Sequence, residues 1–399
     1  MSLMARRIAV GCGLCVVIAG VVAGARLLAQ NVKVADPTSV VMIVNRDSND
    51  IAFMDIKSKK IVGRTFLGNN VNPHMVMMSP DGRYVVTGGT RANKAYIVDV
   101  RTLKLVKVIN VDIAPEHLSF SPDSRWYYQG NPEGDSISVI DMQSLTKIKT
   151  IPGFVEPLNV SFTADGSKAY VGNYGSHWVG VVDVRRHELL KKIQIAEVPG
   201  VAKLDPEKYL GEVHGINIAM FGSDGRYLYA ADGDLGVVGV IDSREDKVVK
   251  TIRVGKDPWR IYMSHDGKYG ITPNNGDQTI SIIDLKANKV AATLEAGENM
   301  TGVNFAAGKA FVISSTSGFV YIYDMNSLRP AGRIRIGVNI QLETATTDTQ
   351  DQKIYLADST ENAIVIIDAK TEKFEKITEN VGLFPWGTHI MDSKDNYCH

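Results

Sequence analysis

Short proline-containing segments recur along the chain and carry the residues best suited to chemistry. The pairs that follow the repeated proline are His74-Met75, Glu116-His117, Leu158-Asn159 and Trp259-Arg260. His214 and His389 lie in the same neighbourhood of two further segments. If these segments converge on one rim, imidazoles there could bind zinc or copper, or one could reach a haem iron. The alternative is a set of hydrogen-bonded rim histidines, or histidines at a subunit contact.

Two of these histidines differ by one position relative to the repeated proline, which argues against a shared site if both lie on regular strands. His74 is the first residue after Pro73, whereas His117 is the second after Pro115. Successive side chains of a strand point to opposite faces, so the two imidazoles would diverge. We therefore expect them to meet only if each strand begins with a loop conformation.

Other short patterns favour structural readings. Cys398-His399 matches the last half of a C-x-x-C-H haem attachment site, but Asp395 stands where the first cysteine would be. This favours a frayed tail or a contact with a partner subunit over covalent haem. The run Met75–Met78 is rich in methionine, which more often fills a core than ligates haem iron. The sequence contains no G-x-S-x-G, H-E-x-x-H or P-loop motif, so no catalytic residue is assigned.

The elements that position these residues form an internal repeat. An aspartate ends an apolar, β-branched run eight times, with successive spacings of 44, 42, 42, 59, 42, 40 and 44 residues. These aspartates are Asp55, Asp99, Asp141, Asp183, Asp242, Asp284, Asp324 and Asp368. A carboxylate at this place can accept backbone N–H groups of the following turn. We predict a structural role for all eight.

A first hairpin precedes most of these aspartates, and Asp81-Gly82 marks its turn, because glycine accepts a positive φ. A four-stranded unit of about 40–45 residues is the period of a β-propeller blade. The N-terminal unit lacks an inner strand, which the C-terminal segment FPWGTHIMDSKDN could supply. The predicted fold is all-β: a propeller of eight four-stranded antiparallel blades, or seven as the alternative, closed by pairing of the N- and C-terminal strands.

The two ends of the chain differ from the predicted propeller in their amino-acid composition. A basic start followed by the uncharged run Ile8–Ala25 predicts a signal peptide over residues 1–30, with an uncleaved anchor as the alternative. Residues 31–38 are predicted as a linker, 39–395 as the propeller and 396–399 as a tail. Export to a periplasm-like compartment is expected, with no membrane span in the mature chain.

The charge balance and the cysteine content limit the classes of function that the chain can have. Lysine plus arginine and aspartate plus glutamate both number 44, so no global field favours nucleic-acid or membrane binding. Two of the three cysteines lie in the predicted signal peptide. The mature chain would keep Cys398 alone and form no internal disulfide.

The spacing of 59 residues reflects an insertion within Ile195–Gly215. An insertion between the outer strand of one blade and the inner strand of the next lies at the channel mouth, where loops on a rigid scaffold commonly bind partners. The candidates for partner contact are Pro199, Asp205, Tyr209, Cys398 and His399. The alternative is a surface loop without a function.

Several repeats carry a wider motif in order, best seen in EPLNVSFTADGSKAYVGNYGSHWVGVVDV and DPWRIYMSHDGKYGITPNNGDQTISIIDL. From about Ser39 to Asp395 the chain resembles the YVTN family of β-propellers. That family includes surface-layer proteins, non-catalytic heavy subunits of periplasmic amine dehydrogenases and relatives of the haem d1 domain of nitrite reductase. As a whole, the chain also resembles the propeller β subunits of hydrazine synthases from anaerobic ammonium-oxidising bacteria.

The resemblance implies a non-catalytic propeller that holds haem-bearing redox subunits together in a hetero-oligomer. In hydrazine synthases, hydrazine forms from nitric oxide and ammonium at haem centres of other subunits. The resemblance thus implies haem c in the partners, no cofactor in this chain, and the anammoxosome lumen as its compartment. One alternative is a cofactor-binding propeller of the haem d1 type, with His74, His117, His214, His389 and Arg260 around a tetrapyrrole. The other is a stand-alone periplasmic or surface binding protein.

Overall fold

The computed structural model describes residues 34–195 and 213–395. Within these ranges the chain forms eight sheets of four antiparallel strands, with 3₁₀ turns at Pro37–Ser39 and Pro132–Gly134. No helical segment in this part of the chain has the length and hydrophobicity needed to cross a membrane.

The first half of the described chain builds blades 1 to 4. Blade 1 begins with β1 (Val40–Asn45), β2 (Asp50–Asp55) and β3 (Lys60–Phe66). Blade 2 consists of β4 (Met77–Met78), β5 (Tyr84–Gly89), β6 (Lys94–Asp99) and β7 (Lys104–Asn110). Blade 3 consists of β8 (Leu118–Phe120), β9 (Trp126–Asn131), β10 (Ser136–Asp141) and β11 (Thr146–Pro152). Blade 4 consists of β12 (Pro157–Phe162), β13 (Lys168–Asn173), β14 (Trp178–Asp183) and β15 (Glu188–Gln194).

The second half builds blades 5 to 8 and closes the ring. Blade 5 consists of β16 (Ala219–Phe221), β17 (Tyr227–Asp232), β18 (Val237–Asp242) and β19 (Lys247–Arg253). Blade 6 consists of β20 (Tyr262–Met263), β21 (Tyr269–Asn274), β22 (Thr279–Asp284) and β23 (Lys289–Glu295). Blade 7 consists of β24 (Met300–Ala306), β25 (Lys309–Ser314), β26 (Phe319–Asp324) and β27 (Arg329–Arg335). Blade 8 consists of β28 (Leu342–Thr347), β29 (Lys353–Asp358), β30 (Ala363–Asp368) and β31 (Lys373–Ile377), and β32 (Pro385–His389) follows it.

The two ends of the described chain share blade 1. Strand β32 pairs antiparallel with β1, with Met42 opposite His389, and so becomes the inner strand of that blade. The predicted closure and the count of eight blades are confirmed, and seven is excluded. Closure of this kind leaves no inner strand without a partner.

Burial explains why the unit recurs. The third strand of a blade is almost wholly buried, as in β14. The residues of the fourth strand are mostly exposed to solvent, as in β15. Apolar side chains of adjacent blades share cores, for example Val181 of blade 4 with Leu228 of blade 5. Met75 and Met78 are also buried in such cores, as expected for the methionine run. A single blade cannot cover its own faces, and its neighbours do so.

All eight strand-ending aspartates accept a backbone N–H of the turn that follows. The donors are Ser58, Thr102, Gln143, Arg186, Arg244, Ala287, Ser327 and Thr371, at 2.7–2.9 Å. These hydrogen bonds from the turn hold the pKa of Asp324 and of Asp368 below the usual range. The predicted structural role is confirmed.

Glycines in second strands let adjacent blades approach closely at the axis. A Cβ added to Gly130 would lie 2.4 Å from the carbonyl oxygen of Leu158, and one added to Gly172 would lie 2.4 Å from that of Asn217. Any side chain there would push away the inner strand of the next blade. These contacts fix the backbone of the residues that face the central channel.

Candidate functional site

A cavity of about 580 Å³ lies where the inner strands converge. Each of the eight blades contributes a residue at or just before the start of its inner strand. In blade order from blade 1, these residues are Trp386, His74, His117, Leu158, Asn217, Trp259, Thr301 and Glu343. Connecting loops add Glu133, Asp135, Glu156 and Tyr174 to the wall. The proline-containing segments therefore do meet at one site, as the sequence suggests.

Two of the predicted rim histidines come together in this wall. The ring centroids of His74 and His117 are 6.1 Å apart, with an angle of 32° between the rings. His74, Glu116 and His117 each offer one possible metal-ligating atom, and these three atoms lie within 4.8 Å of one another. Both histidines precede the regular strands β4 and β8. Because both residues lie in loop segments, they avoid the opposed orientation that a regular strand would impose.

Backbone hydrogen bonds to the second strand of each blade hold these residues in place. The amide of His74 donates to the carbonyl of Gly88 at 3.0 Å, and that of Glu116 donates to Gly130 at 3.1 Å. The carbonyl of His117 accepts the amide of Gly130 at 2.8 Å and the side-chain amide of Gln129 at 2.8 Å. His74 and Glu116 therefore occupy equivalent places in neighbouring blades, and His117 follows by one residue.

Trp386 connects the closing strand to this histidine pair. Its ring lies 5.2 Å from the ring of His74, centroid to centroid. The guanidinium carbon of Arg46 lies 4.3 Å from the indole centroid, and Arg46 donates to the side-chain oxygen of Asn72 at 2.8 Å. The arginine therefore stands beside the cavity with a fixed orientation.

Two carboxyl groups in the wall, those of the half-buried Glu116 and the buried Glu343, have strongly perturbed acidity. Burial raises the pKa of Glu116 to about 7, and the negative charges of Glu133 and Glu156 add to the rise, while Arg46 opposes it. Burial also raises the pKa of Glu343 to about 7, against a hydrogen bond from Ser359 at 2.8 Å and the charge of Arg46. The cavity thus holds carboxyl groups that exchange protons near neutral pH.

Several polar atoms in the wall lack a hydrogen-bond partner among the described residues. Asn217 is fully buried, and neither its amide nitrogen nor its carbonyl oxygen is paired within this part of the chain. The same holds for the indole nitrogens of Trp259 and Trp386 and for the hydroxyl of Thr301. Buried polar groups are normally paired, so these atoms are suited to a bound ligand or to water.

The remaining rim candidates take other positions. Trp259 lines the cavity and meets the ring of Tyr174 edge-on, at 5.8 Å. His214 stacks on the same tyrosine at 5.8 Å, and its Nδ1 lies 3.2 Å from the carboxylate of Asp257. Neither His214 nor Arg260, which is 1% exposed, is among the described residues that line the cavity.

The grouping of His389 with His74 and His117 is corrected by the structure. The ring of His389 is buried in blade 1 and accepts the backbone N–H of Met78 at 3.2 Å. Burial lowers the pKa of His389 to about 3. Trp386, three residues earlier, takes the place in the wall because it directly follows Pro385, and the strand then carries His389 away.

Sequence reasoning missed several wall residues, including Trp386, Asn217 and Glu343. Trp386 had a usable signal, since Pro385-Trp386 repeats the pattern of Pro73-His74 and Pro258-Trp259. Asn217 and Glu343 had none, because no proline precedes them at that position. The partner-contact candidates Pro199, Asp205, Tyr209, Cys398 and His399 lie outside the described residues, as does the predicted signal peptide.

Comparisons with known proteins agree on the fold. Residues 12–207, just under half of the chain, match the family model of YNCE-like beta-propellers. A search of curated proteins finds no match.

Three solved structures have similar architecture. Dihydro-heme d1 dehydrogenase NirN in complex with DHE superposes with a TM-score of 0.73 at 18% identity, covering 90% of this chain and 76% of its own. Hydrazine synthase of Kuenenia stuttgartiensis gives a TM-score of 0.56 at 21% identity, covering 79% of this chain and 97% of its own. A functionally unknown protein from Desulfotomaculum acetoxidans DSM 771 gives a TM-score of 0.56 at 10% identity. The alignment covers 88% of this chain and 98% of that protein's chain. At these identities the likeness concerns the fold.

The predicted propeller architecture is therefore confirmed both by the strand topology and by the family match. The chain is an eight-bladed β-propeller whose residues 12–207 match the YNCE-like family.

Proposed function

We propose that this chain is an exported propeller subunit that works with haem-bearing redox subunits and binds a positively charged ligand in its central cavity. The observation that carries the proposal is the cavity at the axis, to which all eight blades contribute. By their names, two of the similar structures are a dihydro-heme d1 dehydrogenase and a hydrazine synthase. That likeness supports the redox setting, while the cavity supports ligand binding.

The wall has the composition of a binding site. Concave sites usually combine apolar and aromatic surface with a few convergent polar groups. Here Trp259, Trp386 and Tyr174 supply aromatic surface, and Asn217 supplies an amide that is fully buried. Leaving a buried amide unpaired costs about 1–3 kcal/mol, so a ligand that pairs with it gains affinity. A site kept only for packing would be expected to hold an apolar residue at this place.

The charges of the wall favour a cation. Five carboxyl-bearing side chains line the cavity, namely Glu116, Glu133, Asp135, Glu156 and Glu343. Arg46 interacts electrostatically with Glu116 and Glu343 from the side. A positive ligand would gain from the carboxylates and from the aromatic faces of the tryptophans.

A tetrapyrrole of the haem d1 type is the second candidate ligand. The superposition with the haem d1 dehydrogenase and the presence of His74 and His117 in the wall favour it. The acidic wall opposes it, because the carboxylate side chains of such a tetrapyrrole would face carboxylates of the protein. We therefore rank the cation first.

The proposed role in an assembly rests on residues that the sequence alone predicts to contact partners. Pro199, Asp205, Tyr209, Cys398 and His399 remain the predicted partner contacts. Haem c is assigned to the partner subunits in this proposal, and export rests on residues 1–30. The anammoxosome lumen is the compartment that the resemblance to hydrazine synthases implies.

The test is purification of the chain with its partners from native cells by antibody affinity, followed by an absorption spectrum and mass spectrometry of every band. The expected result is multihaem partners at fixed stoichiometry with this chain at its unmodified mature mass. A lone chain with a tetrapyrrole spectrum would overturn the proposal in favour of the second candidate. A colourless lone chain would instead favour a stand-alone binding protein.

A further inference from the structure

We propose that His74, Glu116 and His117 form a mononuclear binding site for a divalent transition metal ion in the wall of the central cavity. This inference deepens the proposed function by naming the cation, and it rests on the cavity having a ligand-binding role. The three side chains come from blades 2 and 3, which are neighbours in the ring.

The donor set matches a known coordination type. Two imidazole nitrogens and one carboxylate oxygen give zinc three protein ligands and leave a fourth position for water or substrate. Imidazole favours zinc, copper, nickel or iron, whereas magnesium and calcium prefer sites made of oxygen atoms. The ion expected here is therefore a transition metal ion with one position open toward the cavity.

The three candidate ligand atoms would need to move only slightly closer together to bind one ion. The three candidate ligand atoms already lie within 4.8 Å of one another. Atoms bound to one zinc ion at about 2.0–2.2 Å in a tetrahedron are about 3.3–3.6 Å apart. Rotation about side-chain bonds by a fraction of a rotamer well can supply the remaining ångström or so, so the backbone need not move.

The backbone under the site is held on both blades. His74 and Glu116 donate their amides to Gly88 and Gly130 of the second strands, at 3.0 and 3.1 Å. Gln129 donates its side-chain amide to the carbonyl of His117 at 2.8 Å. Ligands fixed to rigid elements bind a metal more tightly, because less conformational freedom is lost on binding.

The surroundings suit a buried cation. His74 and His117 are 8% and 2% exposed, which shields the ligand atoms from bulk water. Glu133 and Glu156 act on Glu116 as like charges, and Arg46 acts on it as an opposite charge. An ion at this place would reduce the mutual repulsion of the carboxylates, as Arg46 does in part.

The test is metal titration of the untagged chain after treatment with a chelator, with Zn²⁺ or Co²⁺ alone as the probe. We expect one ion per chain by calorimetry and, with Co²⁺, the visible absorption bands of a tetrahedral site. His74→Ala and His117→Ala should each weaken binding on the order of 100-fold and abolish those bands, because two ligands hold an ion far less well than three. His214→Ala is the matched control, since this histidine lies beside Tyr174 but outside the cluster.

Two results would overturn the inference: no binding by the wild-type chain, or binding by both alanine variants at wild-type strength. If an alanine variant does not fold, His74→Gln and His117→Gln replace it, because glutamine keeps the volume and is a poor ligand. The proposed function has a separate readout. Haem-bearing partners or an organic cation found without any metal would retain that function and reject the metal site.

Discussion

Arg46 lies over the indole of Trp386, with 4.3 Å between its guanidinium carbon and the ring centroid, although 340 residues separate them in sequence. Trp386 belongs to β32 and Arg46 directly follows β1, so this contact forms only when the ring closes. The same indole contacts His74 at 5.2 Å. Closure of the propeller therefore also brings Trp386 into the cavity wall.

Trp386→Ala should therefore lower stability and disturb the cavity together. The substitution removes a half-buried indole, its cation–π contact and its contact with His74, at an expected cost of about 2–3 kcal/mol in the free energy of unfolding. Chemical denaturation measures this loss. Leu383→Ala is the control, because Leu383 is 55% exposed and its truncation should change the free energy by less than about 0.5 kcal/mol. Equal effects of the two variants would contradict the role given to Trp386.

Asn217→Leu should leave the ligand-free chain as stable as the wild type or stabilise it by about 1 kcal/mol, because it removes a buried amide that has no hydrogen-bond partner within residues 34–195 and 213–395. Asn173 is the matched control: it is equally buried, but it donates to the carbonyls of Val171 and Trp178 and accepts the amide of Val155. Asn173→Leu should cost about 2–3 kcal/mol for the same change in side chain. Urea denaturation compares the two, and a larger loss at Asn217 would argue against a site kept for a ligand.

Glu343→Gln should change how stability depends on pH. The folded chain holds the pKa of Glu343 at about 7 because of burial, above its ordinary value of 4.5, so between these values the folded state binds more protons than the unfolded state. Stability from this group is therefore present at low pH and is lost as the pH rises from 4.5 through 7. The variant should be more stable than the wild type by about 3 kcal/mol at pH 8 and similar to it at pH 4.5. Denaturation series in the presence of a chelator give this comparison, and a difference of the opposite sign would refute the assignment.

His265→Gln should have its largest effect at low pH. Burial alone would lower the pKa of His265, but hydrogen bonds and charges from Asp395 and Asp351 outweigh burial and raise it. The ring bonds Asp395 at 2.7 Å and Asp351 at 3.0 Å, and Lys394 lies 3.8 Å from Asp351. Stability from this histidine is fully present below its unfolded pKa of about 6.5 and is lost as the pH rises through the raised folded value.

The variant should thus lose about 1–2 kcal/mol at pH 6 and less at pH 9, as measured by urea midpoints. His187 provides a control of opposite sign. Burial, which is the main cause, and the charge of Lys149 lower its pKa. The stability of His187→Gln relative to the wild type should therefore increase as the pH falls. Parallel pH trends in the two variants would show that the environments of these histidines have been misjudged.

The repeat pattern predicted most of the fold, because each blade is written as a local unit. The eight aspartates mark eight turns whose carboxylates accept backbone amides within three residues, for example Ser58 to Asp55. Such local hydrogen bonds depend on neighbouring residues and can be inferred from residue type alone. Closure was also readable, since the incomplete units at Val40 and at Pro385 complement each other.

The cavity wall was only partly predictable. The repeated proline located His74, His117 and Trp259, and it would also have located Trp386. Asn217 and Glu343 reach the wall through the same place in their blades without any shared residue type. Position in the blade, rather than residue identity, brings them to the axis.

The amino-acid sequence was enough to predict the class of fold, the strand that closes the ring and the residue types available at its mouth, whereas the strand topology was needed to choose eight blades over seven. That His74, Glu116 and His117 lie together while His389 does not became visible from the folded chain alone. The reason is physical. Turns and strand alternation are set by residues close in sequence, whereas distances across the axis depend on how adjacent blades pack, down to glycines such as Gly130 that permit close approach.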